Sequence, residues 1–340
     1  MINESNGGTV LITGVAGLIG SRMADWIVEN KPQWKVVGID NLFGGYMENV
    51  NPKVEFYKRE LSSDDLSDIF EKHEIDIVYH FAAYAAEGLS PFMRMFNDRN
   101  NMLSTDNIIN QCITHEVKRL VYTSSMSVYG HGKKDGTVFT EDDIPCPIDP
   151  YGVSKYACEM NIKIAGEQHG LDWCIIRPHN LVGRNQNIWD TYRNVVGIWM
   201  WQALNKLPMT IYGDGEQTRA FSIIDDCLKP FWNAAVDDVA SKEIVNVGGI
   251  VPYTINEMCE IISEITGHKD IVHLEPRHEV KFAVPSYDKS MDVLGYQQKT
   301  EMSDGLKNMW EWAKVQPRRE RYRWGDYEVK KGLYEYWVND

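Results

Sequence analysis

The chain is predicted to be an α/β protein: a doubly wound parallel sheet with a smaller, mixed C-terminal substrate domain. Two observations predict it. Short β-branched runs alternate with longer amphipathic stretches through the first half, the pattern of parallel strands joined by crossover helices. After Pro178 that rhythm gives way to Trp, Tyr and Pro with loop signals such as Tyr212-Gly213-Asp214-Gly215. The length of 340 residues suits about two domains.

In order, strands are expected at 9–13, 35–40, 54–57, 76–82, 120–124 and 173–177. Helical spacing of apolar residues marks 17–29, 66–72, 97–115 and 151–168 between them. A further run at 244–247, closed by Gly248-Gly249, reads as one more strand end. The chain is therefore expected to return to its first domain, giving 1–178 and 220–250 for one unit and 179–219 and 251–340 for the other. The tail gathers Arg318, Arg319, Arg321 and Arg323 before Trp324, Tyr327, Tyr334, Tyr336 and Trp337, and is expected to form an arm packed on its own domain.

Composition narrows the function. With 35 Lys and Arg against 49 Asp and Glu, the net charge is −14. Duplex binding draws most of its affinity from neutralised phosphates, so nucleic acid is not an expected partner, nor is an anionic membrane surface. No secretory signal and no membrane-spanning apolar run is visible. Six dispersed cysteines without a C-x-x-C pair read as buried thiols of a cytoplasmic protein. His268, His273 and His278 do not share a helical face, so no metal site is expected.

The first expected strand ends in Thr13-Gly14-Val15-Ala16-Gly17-Leu18-Ile19-Gly20, a G-x-x-G-x-x-G loop opening into a helix. Such glycines permit a tight turn and close backbone approach to a pyrophosphate, whose charge rests on the free amides of the helix N-terminus. The second strand ends in Asp40, 20 residues past Gly20. A carboxylate there accepts hydrogen bonds from an adenosine ribose and repels a 2′-phosphate, which selects NAD over NADP in a Rossmann sheet.

Further along, Ser124-Ser125 and Ser127 fall where the fifth strand stops, the end at which open parallel sheets bind ligands. Downstream, Tyr151 and Lys155 stand four apart at the start of a helical segment and share one face. A phenol of pKa ~10 is a poor base until a nearby ammonium stabilises its phenolate. Lys155 would supply that charge, and Ser125 would orient the same substrate oxygen.

Together, T-G-x-x-G-x-x-G, Asp40-Asn41-Leu42, His80-Phe81-Ala82-Ala83, Asn100-Asn101, Ser124-Ser125, Val128-Tyr129-Gly130, Y-x-x-x-K, Arg177-Pro178-His179-Asn180 and Gly213-Asp214-Gly215 resemble the extended short-chain dehydrogenase/reductase family, in its nucleotide-sugar 4-epimerase branch. The resemblance spans nearly the whole chain. It implies catalytic roles for Ser125, Tyr151 and Lys155. It implies an NAD site lined by Gly14, Gly17, Leu18, Ile19, Gly20, Asp40, Asn41, Phe81, Ala82, Ala83, Asn100 and Pro178, with Tyr151 and Lys155. Glu60-Leu61 stands where the family usually has Asp before Ile or Leu near the adenine. For a nucleotide-sugar substrate it implies Asn180, Arg219 and Arg277 at the pyrophosphate, with Arg193 as a further candidate, and Thr210 to Tyr212 at the base. Pyrophosphate needs forked or flexible cations in any case.

The resemblance implies that Tyr151 takes a proton from the sugar C4 hydroxyl while the C4 hydrogen passes to NAD. Ser127 stands two before Tyr129, where dehydratases and decarboxylases of the family carry an acid. A serine cannot act as a carboxylate acid/base, which disfavours elimination and leaves 4-epimerisation. Simple 4-dehydrogenation and 2-epimerisation keep the same residues and stay open, 4,6-dehydration less so, and intact Tyr151 and Lys155 argue against a non-catalytic NAD sensor. Glu87, past the end of the fourth strand, either touches the sugar or caps the next turn. Ala283 or Val284 stands where some epimerases have a bulky Tyr, leaving room for an acetamido or carboxylate substituent. The resemblance also implies a homodimer formed through 97–115 and 151–168.

Overall fold

The computed structural model describes residues 2, 4–131, 133 and 137–338. Six strands, β1 (Gly8–Thr13), β2 (Trp34–Asp40), β3 (Glu55–Lys58), β4 (Ile77–His80), β5 (Arg119–Thr123) and β6 (Trp173–Pro178), join the later strand Glu243–Val247 in one sheet of seven. From edge to edge the order is Glu243–Val247, β6, β5, β4, β1, β2, β3, with every neighbouring pair parallel. This is the doubly wound Rossmann arrangement. Leu11 of β1 lies opposite Val37 on one side and Val78 on the other, so chain order reverses at β1. A ligand crevice opens beyond the carboxyl ends of the strands at such a reversal.

Both faces of the sheet are covered, and the period of the strand decides which residue serves which face. Val10 and Ile12 enter one core with Met23, Tyr79, Phe231 and Trp232. Leu11, between them, enters the other with Val37, Phe70, Ile108, Ile162 and Ile175. A separate core gathers Trp199, Ile211, Phe221, Met258, Leu306 and Trp310. Five cysteines are buried and Cys146 is exposed, all as free thiols. Among the described residues no helix is long and apolar enough to cross a membrane.

Three details differ from the sequence expectation. The fourth strand stops at His80 and does not reach Ala82, because Gly14 packs against the Ala82 backbone there. The segment expected as one helix at 97–115 starts at Arg94 and carries a π-helical turn, Arg99–Leu103, before the α-helix Ser104–Thr114. Asn101 in that turn bonds backbone across the cleft, its Oδ1 accepting from Tyr84 N at 3.0 Å, the kind of place where π-turns occur. The arm after helix Met302–Lys314 also reaches beyond its own unit. Within the unit Tyr322 N donates to Trp189 O (2.8 Å), while across to 1–178 Val329 N donates to Phe92 O (3.2 Å) and Glu328 accepts from Met95 N and Phe96 N (2.9 Å each).

Candidate active site

One cavity of about 460 Å³ opens beyond the carboxyl ends of β1, β2, β4 and β5. At its floor the three glycines divide their work. Gly14 has φ +71°, and a Cβ on it would fall 2.8 Å from Ala82 N. Gly20 approaches the loop so closely that a Cβ would lie 2.2 Å from Gly14 O. Gly17 meets little protein, Gly14 O at 3.4 Å, and faces the cavity. The helix Leu18–Asn30 that follows has no capping side chain and no acid in its first turn, so its amides and positive dipole end face the cavity uncompensated. These features fit the pyrophosphate of a dinucleotide.

At the end of β2, Asp40 accepts from Ala16 N (3.0 Å) and Leu42 N (2.7 Å), one on each carboxylate oxygen. Burial raises its pKa and the two amides pull it down. Each oxygen keeps a lone pair for a ribose hydroxyl. The longer side chain of Glu60 is accommodated by folding back, accepting from Asn41 Nδ2 (2.8 Å) and Ser62 Oγ (3.0 Å), and Glu60 and Leu61 still line the cavity.

Tyr151 and Lys155 project from helix Pro150–His169, whose start is set by Pro150 in its first turn and by Asp149, which accepts from Gly152 N at 2.8 Å. Tyr151 is 5% exposed and borders the cavity with Ser125. Burial pushes the phenol well above its ordinary pKa, the charge of Glu87 adds to that, and the neighbouring Ser125 opposes it. Lys155 Nζ donates to Thr123 O at 2.7 Å and lies 5.9 Å from the Tyr151 ring centroid. The ammonium is held by a backbone carbonyl and sits over the Tyr151 ring. Burial lowers the Lys155 pKa to about 8, which leaves it charged at neutral pH.

Beneath this group lies an ion pair that sequence reading missed. Arg177 Nε and Nη2 donate to the two oxygens of Glu159 (2.8 and 2.6 Å), Ser124 Oγ donates to Glu159 (2.5 Å), and Arg177 Nη1 donates to Tyr129 Oη (2.6 Å). The network ties the helix of Tyr151 to the ends of β5 and β6.

Asn180, Thr210, Tyr212, Arg219 and Arg277 also line the cavity, and Arg193 lines it beside Gly44, where a Cβ would fall 2.1 Å from its Nη2. Arg219 Nη2 donates to Glu279 (3.3 Å) and to Val280 O, and Arg277 Nε lies 3.6 Å from the same carboxylate. Arg277 also covers the Tyr212 ring at 4.5 Å. Arg193 pairs with Asp190 (2.9 Å) and stacks 4.6 Å over Tyr84. Glu87 reaches the cavity and is exposed to it, yet lies at a depth where protein surrounds it. Burial is the leading cause raising its pKa, Asp149 adds to it, and Arg219 and Arg277 oppose it; water in the open cleft softens the rise and closure over a ligand restores it. Ala283 lines the cavity, whereas Val284 is buried, its carbonyl accepting from Phe139 N.

All the residues nominated above for catalysis, cofactor and substrate border this one cavity, including Leu18, Ile19, Phe81, Ala83, Asn100, Ser127 and Pro178. Sequence reading missed Glu279, Gln217 and Gln186. Gln186 is 5% exposed, and neither of its side-chain polar atoms has a hydrogen-bond partner among the described residues. The same holds for Thr123 Oγ1 and Ser127 Oγ. Orphaned polar atoms around a cavity mark where a polar ligand completes the bonding. The arm packs behind the cavity wall: Tyr336 and Trp337 border a second, smaller cavity with Tyr212 and Arg277, and Gln202 Nε2 donates to Tyr336 Oη at 3.3 Å.

A family model described as the NAD dependent epimerase/dehydratase family matches residues 10–248. The UDP-glucose 4-epimerase of Thermotoga maritima, solved with UDP-glucose, superposes with a TM-score of 0.83 at 30% identity, covering 89% of this chain and 98% of that one. The UDP-glucuronic acid 4-epimerase of Bacillus cereus, in complex with UDP-glucuronic acid and NAD, gives 0.81 at 27% identity, covering 90% and 99%. The UDP-N-acetylglucosamine 4-epimerase of Methanobrevibacter ruminantium M1, in complex with UDP-N-acetylmuramic acid, gives 0.82 at 28% identity, covering 90% and 98%.

Proposed function

The chain belongs to the NAD-dependent epimerase/dehydratase family, and from that premise we propose that this enzyme inverts C4 of a nucleotide-diphosphate sugar, a UDP-hexose or a derivative, through a transient 4-keto sugar. One observation carries the reading: Tyr151 and Ser125 share a single cavity with the glycine loop and the Arg219/Arg277 pair. NAD, which the glycine loop, Asp40 and Lys155 would hold, would supply the acceptor and later the donor for the C4 hydrogen with its electron pair. Tyr151 receives the C4 hydroxyl proton and later returns it. Ser125 holds the same oxygen, and Lys155, fixed on the Thr123 carbonyl, keeps a positive charge near the phenolate. Arg219 and Arg277 hold the pyrophosphate, which replaces Glu279 as their partner. Anchored there, the sugar is free to turn its other face before the hydrogen returns. Ser127 offers no acid/base for elimination.

Purified protein incubated with UDP-, GDP-, CDP- and TDP-hexoses and followed by NMR is expected to yield the C4 epimer of a UDP-sugar with no net reduction of NAD. Stoichiometric NADH release would replace this reading with 4-dehydrogenation.

The substrate-side unit is taken as 179–219 and 251–340, with 1–178 and 220–250 holding NAD. A cytoplasmic homodimer completes the proposal. Support comes from Leu103, Val153, Met160 and Ile164, which are exposed on the helical segments 94–114 and 150–169, an apolar stripe that a second copy would cover. Buried free thiols suit a reducing compartment. The arm backs the substrate wall, so Trp337→Ala should raise KM for the nucleotide sugar by ~10-fold, about 1.4 kcal/mol, with NAD affinity unchanged in equilibrium titration. An unchanged KM would remove the arm from the site.

A further inference from the structure

We propose that Glu87 determines sugar specificity, selecting uncharged hexoses, plain or N-acetylated, over hexuronic acids. The proposal rests on the 4-epimerase reading of the same cavity and goes beyond it in naming the substrate class.

Two alternatives stood open for Glu87, and the hydrogen bonds separate them. The turn after β4 is made by its backbone: Glu87 O accepts from Ser90 Oγ (2.8 Å) and Ser90 N (3.3 Å). Its carboxylate has no hydrogen bond among the described residues and lines the cavity with Ser125, Tyr151, Arg219 and Arg277. The adjoining Gly88 is packed so that a Cβ would lie 3.7 Å from Arg277 Nη1 and 3.6 Å from the Trp337 ring. The charge of Glu87 is felt at the Tyr151 phenol, and those of Arg219 and Arg277 are felt at Glu87. The turn that carries Glu87 adjoins both groups, Gly88 lying against Arg277 and Ser90 Oγ, which donates to Glu87 O, accepting from Tyr151 N at 3.1 Å. A sugar ring joining those two groups must pass that turn.

The other acids near it keep protein partners. Asp149 caps the helix of Tyr151 through Gly152 N, and Glu279, once the pyrophosphate takes Arg219 and Arg277, still accepts from Gln217 Nε2 at 3.1 Å. Glu87 has no such bond among the described residues and is placed to receive sugar hydroxyls, and charge-assisted bonds to it are stronger than neutral ones. A ring carboxylate would meet it as a like charge, and such juxtaposition disfavours the acidic sugar. Ala283 leaves room for a larger substituent, so the filter is charge and not size. Because burial, with Asp149 and Glu279, raises the Glu87 pKa against the pull of Arg219 and Arg277, the filter is titratable. Protonation at lower pH removes the repulsion, and discrimination strengthens as pH rises.

The test compares kcat/KM for UDP-glucose, UDP-N-acetylglucosamine and UDP-glucuronic acid, on both sides of neutral pH, for the wild type and Glu87→Gln. The wild type is expected to favour the neutral sugars by ~10-fold or more, by a ratio that grows with pH. Glu87→Gln should shrink the ratio about tenfold and make it independent of pH. Equal use of UDP-glucuronic acid by the wild type, or a ratio unchanged in the variant, overturns the proposal. Equilibrium binding of the same sugars to NAD-loaded Tyr151→Phe, with and without Glu87→Gln, reads the selection without chemistry. If no UDP-sugar turns over but the binding order holds, the 4-epimerase reading fails and the role of Glu87 stands.

Discussion

Tyr151→Phe should retain NAD and lose ~10²–10⁴-fold of turnover, the usual contribution of a positioned general acid–base. The substitution removes one oxygen from a side chain that is 5% exposed and leaves the ring packing, the helix start at Pro150 and Asp149, and the glycine loop untouched. Nucleotide-sugar binding should survive as well, because Arg219 and Arg277 still line the cavity. The loss is therefore expected in kcat, with KM little altered, as for an interaction made only in the transition state. NMR-followed turnover beside equilibrium titration of both ligands checks it. Full activity in the variant would remove Tyr151 from the mechanism, and loss of NAD would show that the phenol is a structural group.

The second large effect is on stability. Glu159→Ala should destabilise the protein by about 3–5 kcal/mol, because it strands the buried Arg177 guanidinium without its counter-charge. Glu159 and Arg177 side chains are 0% and 2% exposed, and the pair is joined through both oxygens. Ser124 would lose its acceptor in the same step. Urea unfolding should show the midpoint moving down with little change in slope. Replacing both partners together by apolar residues of similar volume should recover much of the loss, since the cost comes from the unpaired charge and not from the absence of the pair. A midpoint for Glu159→Ala close to the wild type would contradict this.

Much of the fold and of the site was legible in the sequence because the signals are local. A strand repeats every second residue and a helix about every fourth, so β1 and β2 were found within a residue of their ends, and Tyr151 and Lys155 were placed on one face. The glycine loop is equally local, since the φ of +71° at Gly14 belongs to the turn itself. The π-turn at Arg99–Leu103 escaped because it depends on Asn101 bonding Tyr84, and periodicity contains no such partner.

Sequence by itself determined the sheet class, the dinucleotide loop with its carboxylate, and the phenol–ammonium pair. Each is written in short-range spacing that backbone geometry enforces. Tertiary structure alone decided which carbonyl holds Lys155, that Glu159 and Arg177 meet beneath the helix of Tyr151, that Gln186 and Glu279 enter the cavity, and that Trp337 and Tyr212 border one small cavity. Those pairings join residues distant in the chain through packing that many sequences could satisfy, so no local pattern carries them. For Glu87 the division runs through one residue. Its position after β4 was visible in the sequence, but only the fold sets it in one cavity with the phenol and the two arginines, where its charge can act on a sugar.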